Sequence, residues 1–103
     1  MLSDQEICTA AIATFGSVNL SSVSVVPEGG RAYRCSYLRS DGKQTVYSCD
    51  VHDDEVKVLD EAVQVKFKNT VIGYSISGEN ISVSITAHGK LEEQKVFNKR
   101  DFQ

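Results

Sequence analysis

The chain has no tryptophan, one proline, two histidines and no long hydrophobic run. No stretch approaches the roughly 18 apolar residues that a membrane-spanning helix needs, so we expect no membrane span. The 11 basic and 14 acidic side chains give a net charge of −3. Nucleic-acid-binding domains usually carry a basic excess, so we expect no nucleic-acid partner. With 103 residues, the chain is expected to form a single domain, 1–103, around one modest core.

The three cysteines, Cys8, Cys35 and Cys49, are too few for a disulfide scaffold. Their odd number allows either one disulfide and one thiol, or three thiols. Their spacing shows no paired metal ligands, and Cys49 and His52 would face opposite sides of a strand. We therefore expect no metal and no other cofactor.

Residues 3–16 have the pattern of a capped amphipathic helix. Ser3 and Glu6 form a capping box, in which each residue can bond the backbone N–H of the other. Gly16 is a typical residue just beyond a helix end. The apolar positions at helical spacing are Ile7, Cys8, Ala11, Ile12 and Phe15. The sequence predicts a helix over about 4–15.

After Gly16 the apolar residues alternate with a period of two, which is typical of antiparallel strands with one buried face. Pro27–Gly30 and Asp41-Gly42 are expected to be turns. A parallel sheet is excluded because no second helix can supply crossovers. We predict an α+β fold, with the helix packed on a curved antiparallel meander of about seven to eight strands. The sheet either stays open or curls toward a barrel, which would hide its edges. The alternating segments are 23–25, 31–39, 44–51, 56–59, 62–68, 72–76, 81–87 and 91–97.

The length of the Asp41-Gly42 loop decides which cysteines share a face of the sheet. A loop of two or four residues points Cys35 and Cys49 to opposite faces, whereas a three-residue loop points them to the same face. Cys8 lies on the apolar stripe of the helix. A helix packed on the Cys49 strand could also bring Cys8 within bonding distance of Cys49. More than one pairing therefore stays open.

Residues 7–13, which read Ile-Cys-Thr-Ala-Ala-Ile-Ala, and the Tyr-Ser-Cys segment 47–49 after the Asp-Gly turn carry a resemblance. The chain resembles a group of small uncharacterised bacterial proteins, in which an Ile-Cys-x-Ala-Ala-Ile-Ala helix leads into a β meander with a Tyr-x-Cys strand. The resemblance implies a disulfide between Cys8 and Cys49, with Cys35 as an extra cysteine. It implies an envelope or exported protein and no known activity. The chain departs from the group at Gln64–Lys68, which replaces a basic segment containing tryptophan.

Two groups of residues are candidate interaction surfaces. The acidic residues Asp53, Asp54 and Glu55 lie in a run where Lys57 is the single opposing charge, a pattern that suits a basic partner. The second group consists of Tyr33, Arg34 and Tyr37 on one predicted hairpin.

We expect a non-enzymatic binding or accessory module of the bacterial cell envelope, with a protein partner. We expect a periplasmic or secreted location. The first residues do not have the pattern of a signal peptide, so this expectation includes a leader that is absent from this sequence. One alternative is a small ligand-binding protein or enzyme with a cleft in a curled sheet. The residues that would then converge are Tyr33, Cys35, Tyr37, His52 and His88. Another alternative is a cytosolic interaction module with three thiols. In any of these cases, exposed strand edges of the meander would allow dimerisation.

Overall fold

The computed structural model describes residues 2–60, 65–66 and 70–102. One α-helix, α1, spans Asp4–Gly16, and short 3-10 turns cover Leu20–Ser22 and Lys99–Phe102. The strands are β1 (Ser24–Gly29), β2 (Ala32–Leu38), β3 (Gln44–Val51), β4 (Glu55–Asp60), β5 (Val65–Lys66), β6 (Thr70–Ser77), β7 (Asn80–Ala87) and β8 (Lys90–Asn98). No helix among the described residues has the length and apolar character needed to cross a membrane.

The strands form one antiparallel sheet in the order β1-β2-β3-β4-β6-β7-β8, and the two-residue β5 pairs with β4. This arrangement confirms the predicted α+β meander with a single helix packed on it. β1 and β8 stand at the two ends of the strand order, so the sheet is open rather than closed into a barrel. The described part of the predicted strand 62–68 is β5, and the remainder of that prediction lies outside the described residues.

The capping box predicted from the sequence is present at the start of α1. The Ser3 hydroxyl accepts a hydrogen bond from the Glu6 backbone N–H at 3.1 Å, and a Glu6 carboxylate oxygen accepts one from the Ser3 N–H at 2.9 Å. These bonds satisfy two backbone donors that the first helical turn leaves without partners.

The other end of α1 differs from the prediction. The helix includes Gly16, and the left-handed residue that ends it is Ser17, with a φ of 54°. Gly16 is needed for a different reason, since a Cβ there would lie 2.7 Å from both the Cζ and the hydroxyl oxygen of Tyr37. The Tyr37 ring on β2 therefore packs directly on the backbone of the last helical turn.

Helix α1 is buried over a wider surface than its predicted apolar stripe. It packs against β1, β2, β3, β6, β7 and β8, so the sheet bends around it. Ala10, Ala11 and Ala13 are fully buried, and their small side chains allow close approach of the strands. Thr14 is also buried, and its hydroxyl donates to the Ala10 carbonyl at 2.9 Å. The sheet residues buried opposite the helix are Cys35, Tyr47, Cys49, Val51, Val56, Val58, Ile72, Ile81, Val83 and Ile85.

Pro27 lies within a strand, so the predicted turn at 27–30 is misplaced. β1 runs through Pro27 to Gly29, with a register shift between these two residues. β1 is an edge strand, where the missing N–H of proline need not cost a hydrogen bond of the sheet. The chain reverses instead at Gly30 and Arg31.

The length of the loop between β2 and β3 shows whether Cys35 and Cys49 share one face of the sheet. The Arg39 N–H donates to the Lys43 carbonyl at 2.8 Å, which leaves a three-residue loop, 40–42. This odd loop places Cys35 opposite Tyr47, so Cys35 and Cys49 lie two positions apart on the same face of the sheet.

Substituting Gly16→Ala is expected to destabilise the fold by about 1–3 kcal/mol, because the added methyl group overlaps the Tyr37 ring. Urea unfolding measures the change in the free energy of unfolding. In a Tyr37→Leu background the same substitution should cost clearly less. An equal cost in both backgrounds would show that the ring is not the reason for glycine.

Candidate functional site

A disulfide joins Cys8 of α1 to Cys49 of β3, with Cα atoms 6.2 Å apart. This is the pairing that the resemblance implied. Both residues are fully buried, and the bond closes a sequence separation of 41 residues. It ties the middle of the helix to a strand inside the sheet, so the two layers of the fold are covalently connected.

Cys35 lies beside this disulfide on the neighbouring strand β2. Its side chain is also fully buried, and its sulfur donates to the Tyr33 carbonyl at 3.9 Å. The sulfur atoms of Cys8, Cys35 and Cys49 all lie within 4.8 Å of one another. Within the described residues, no carboxylate or histidine joins this group. The three cysteines of the chain thus form one buried cluster, drawn from three different elements.

The acidic residues predicted to bind a partner lie where β3 turns into β4. Asp53 and Asp54 are exposed in the turn, and Glu55 is the first residue of β4. Glu55 forms an ion pair with Lys57. Lys57 is therefore engaged with Glu55, while Asp53 and Asp54 are exposed to solvent.

Tyr74 of β6 holds this turn in place. Its backbone N–H donates to the Asp54 carbonyl at 3.1 Å, and its hydroxyl donates to the His52 carbonyl. Burial raises the pKa of Tyr74, and the negative charges of Asp4, Asp53 and Asp54 raise it further. Asp4, at the start of the helix, thus lies close enough to act on the same ring. We call Asp4, Asp53 and Asp54, together with Tyr74, the acidic surface.

The sequence pattern does not place Asp4 or Tyr74 in this surface. An acidic residue in the first turn of a helix is already accounted for by the positive end of the helix dipole. Tyr74 is one position in the alternating segment 72–76. Nothing in the sequence connects residue 4 with residue 53, because their proximity depends on how α1 lies against the sheet.

Tyr33 and Tyr37 lie on the helix side of the sheet, and both are half-buried. Tyr37 packs on Tyr47 with ring centroids 6.3 Å apart, and Tyr47 packs edge-on against Phe15 at 5.7 Å. Burial raises the pKa of Tyr47, and a hydrogen bond with the Tyr37 side chain raises it further. These rings hold the end of the helix on the sheet.

Arg34 projects from the opposite face of β2. It forms an ion pair with Glu28 at 3.3 Å, and the Ser48 hydroxyl donates to the same carboxylate at 2.9 Å. The predicted interaction residues therefore occupy three separate places: Arg34 on the outer face, Tyr33 and Tyr37 toward the helix, and the acidic turn at the end of β3.

A cleft of about 520 Å³ opens between β4 and β6, which share only two residue pairs, Glu55 with Gly73 and Val56 with Ile72. Of the five residues expected to converge in a ligand site, His52 is the one found among the described residues that line this cleft. His52 pairs with Asp50 at 3.5 Å, and His88 is exposed in the turn between β7 and β8. The structure does not bring the five together.

No family model, curated protein or solved structure matches the chain.

Replacing both Cys8 and Cys49 by alanine is expected to lower the free energy of unfolding by about 4 kcal/mol, because the disulfide closes a long loop of the unfolded chain. Cys35→Ala is the matched control, since it removes a buried sulfur of the same cluster and leaves the disulfide intact. Urea unfolding of the three proteins measures the difference. Equal losses for the double variant and the control would contradict a stabilising role of the bond.

The double variant Asp53→Asn/Asp54→Asn is expected to lower the pKa of Tyr74, because two of the charges that raise it are removed. The pKa should stay above its ordinary value, since burial is the larger cause. Because the folded-state pKa is raised, the stability linked to Tyr74 is lost as the pH rises through that pKa. An NMR titration of the ring carbons measures the change, with Glu92→Gln on β8 as the control. An unmoved pKa would show that these carboxylates do not act on Tyr74.

Proposed function

We propose that the chain is a non-enzymatic binding or accessory module of the bacterial cell envelope, located in the periplasm or secreted. The observation that carries this proposal is the disulfide between Cys8 and Cys49. Disulfides persist in oxidising compartments and are rare in cytosolic proteins. A domain of this size also has a limited core, so a covalent connection between helix and sheet contributes a useful share of its stability.

Several of the reactive side chains that the sequence offers have structural roles in the fold, which supports binding rather than catalysis. Cys8 and Cys49 are bonded to each other. Tyr37 and Tyr47 pack around the last turn of the helix. The chain thus uses these residues to build a rigid support.

The acidic surface is the region that we propose contacts a partner, and its chemistry suits a basic protein surface. Asp53 and Asp54 are exposed, and their charges, with that of Asp4, add to the effect of burial in raising the pKa of Tyr74. Charges of this kind steer association with an oppositely charged partner and disfavour acidic ones. The net charge of −3 adds to the attraction.

The compartment is tested by counting thiols in protein taken from its native host. The protein is alkylated under denaturing conditions, with and without prior reduction, and its intact mass is measured. We expect one alkylated thiol before reduction and three after it, with peptide mapping that links Cys8 to Cys49. Three alkylated thiols before reduction would contradict the envelope proposal and favour a cytosolic interaction module.

The contact surface is tested by capture from a native envelope extract. Immobilised wild-type protein should retain a basic partner, and Asp53→Asn/Asp54→Asn should lose it. Glu92→Gln, which removes an exposed charge from β8, should retain it, and added salt should weaken all binding because it screens exposed charges. Equal capture by both variants would show that the acidic surface is not the contact surface. If the wild-type protein retains no specific partner, that result would count against a binding module.

The cleft between β4 and β6 favours a second candidate function, the binding of a small ligand. Its described lining combines apolar side chains such as Val58 and Ile72 with the charged Glu55 and with His52. Apolar walls with a few polar groups are typical of small-molecule sites. A ligand that binds there should raise the melting temperature of the wild-type protein and should not raise that of Val71→Arg, a substitution at an exposed position of the lining.

A further inference from the structure

The cluster of Cys8, Cys35 and Cys49 has a geometry that the proposed function does not use. Each sulfur comes from a different element, α1, β2 or β3, and all three side chains are fully buried. The three sulfur atoms lie within 4.8 Å of one another. Two of them form the disulfide, and Cys35 keeps its thiol group.

We propose that reduction of the Cys8–Cys49 disulfide converts this cluster into a three-sulfur site for a trivalent thiophilic ion of the arsenite type. The three sulfurs already lie within 4.8 Å of one another, and the sulfurs of Cys8 and Cys49, which are bonded to each other in the oxidised chain, would move apart on reduction to become separate ligands of one central atom. The inference does not rest on the proposed envelope function, because it concerns the reduced chain in any compartment.

Charge determines which ion suits the site. The cluster lies in the apolar core, where an uncompensated charge is costly. Three thiolates carry three negative charges, so a trivalent ion gives a neutral complex. Zinc would leave one negative charge and monovalent copper two. Zinc also favours four protein ligands in closed sites, and no fourth carboxylate or histidine lies in this group in the described part of the chain.

The chemistry balances in two steps. A phosphine reductant takes up oxygen from water to become the phosphine oxide, and the disulfide receives the two electrons and two protons to give two thiols. Arsenous acid then exchanges its three hydroxyl groups for the three sulfurs. Three arsenic–sulfur bonds form, and three water molecules leave with the thiol protons. The oxidation state of arsenic does not change.

Oxidation closes the site, because the disulfide removes two of the three ligands. The site is therefore available only when the protein is reduced. Since the three sulfurs are fully buried, the ion can enter only when the helix and sheet open locally. We expect slow binding for this reason.

The test uses the full chain, reduced with a phosphine that is removed before arsenite is added, followed by non-denaturing mass spectrometry. Reduced wild-type protein should gain one arsenic and lose three protons, the signature of three arsenic–sulfur bonds. The matched variant Cys35→Ser keeps the disulfide-forming pair, so its reduced form should show at most an adduct that retains a hydroxyl group on arsenic. The unreduced wild-type protein should show no adduct. A hydroxyl-bearing adduct on reduced wild-type protein would overturn the proposal.

A second measurement separates a folded site from binding by an unfolded chain. Arsenite should raise the melting temperature of the reduced wild-type protein, because a ligand that binds the folded state stabilises it. The rise should be smaller for reduced Cys35→Ser. An unchanged melting temperature of the wild-type protein would overturn the proposal, as would displacement of arsenite by an equal concentration of zinc.

Discussion

The rest of the structure depends on burial of a single helix against six strands at once. A helix on a flat sheet buries one stripe, whereas α1 is covered on most of its circumference because the sheet bends around it. Close approach requires small side chains, and the chain supplies Ala10, Ala11 and Ala13 at the contact. The same close approach explains Gly16, on which the Tyr37 ring rests, and it brings Cys8 within bonding distance of Cys49.

This packing also decides which polar groups remain available to a partner. The tyrosines of β2 lie on the helix side of the sheet, where Tyr37 covers the last helical turn, and the arginine between them is directed to the outer face. At the turn after β3, the charges of Asp4, Asp53 and Asp54 all act on Tyr74, so residues far apart in sequence influence one ring.

The buried cysteines connect stability with chemistry. In the oxidised chain the helix and sheet are covalently joined, which limits how far the two layers can separate. The same packing places Cys35 beside this disulfide in the apolar core, so in our proposal the reduced chain offers three neighbouring thiols to an ion that neutralises them.

Local interactions made much of the fold predictable. The capping box at Ser3 and Glu6 involves atoms within one helical turn, and the alternation of Tyr33, Arg34 and Cys35 follows from strand geometry alone. These features determined the single helix, the antiparallel meander and the faces of β2. The α+β class follows from these local patterns, because a helix cap and a strand alternation can be recognised without knowing the long-range contacts.

Only the tertiary structure decided the features that depend on long-range packing. The place of β1 at the sheet edge lets Pro27 remain in a strand, and the ring of Tyr37 makes glycine necessary at residue 16. The open sheet, the approach of Asp4 to the β3–β4 turn and the convergence of three cysteines likewise depend on how the helix lies across the strands. A sequence pattern specifies which face of an element is buried. It does not specify which distant residue will cover that face, because this depends on the packing of all the elements together.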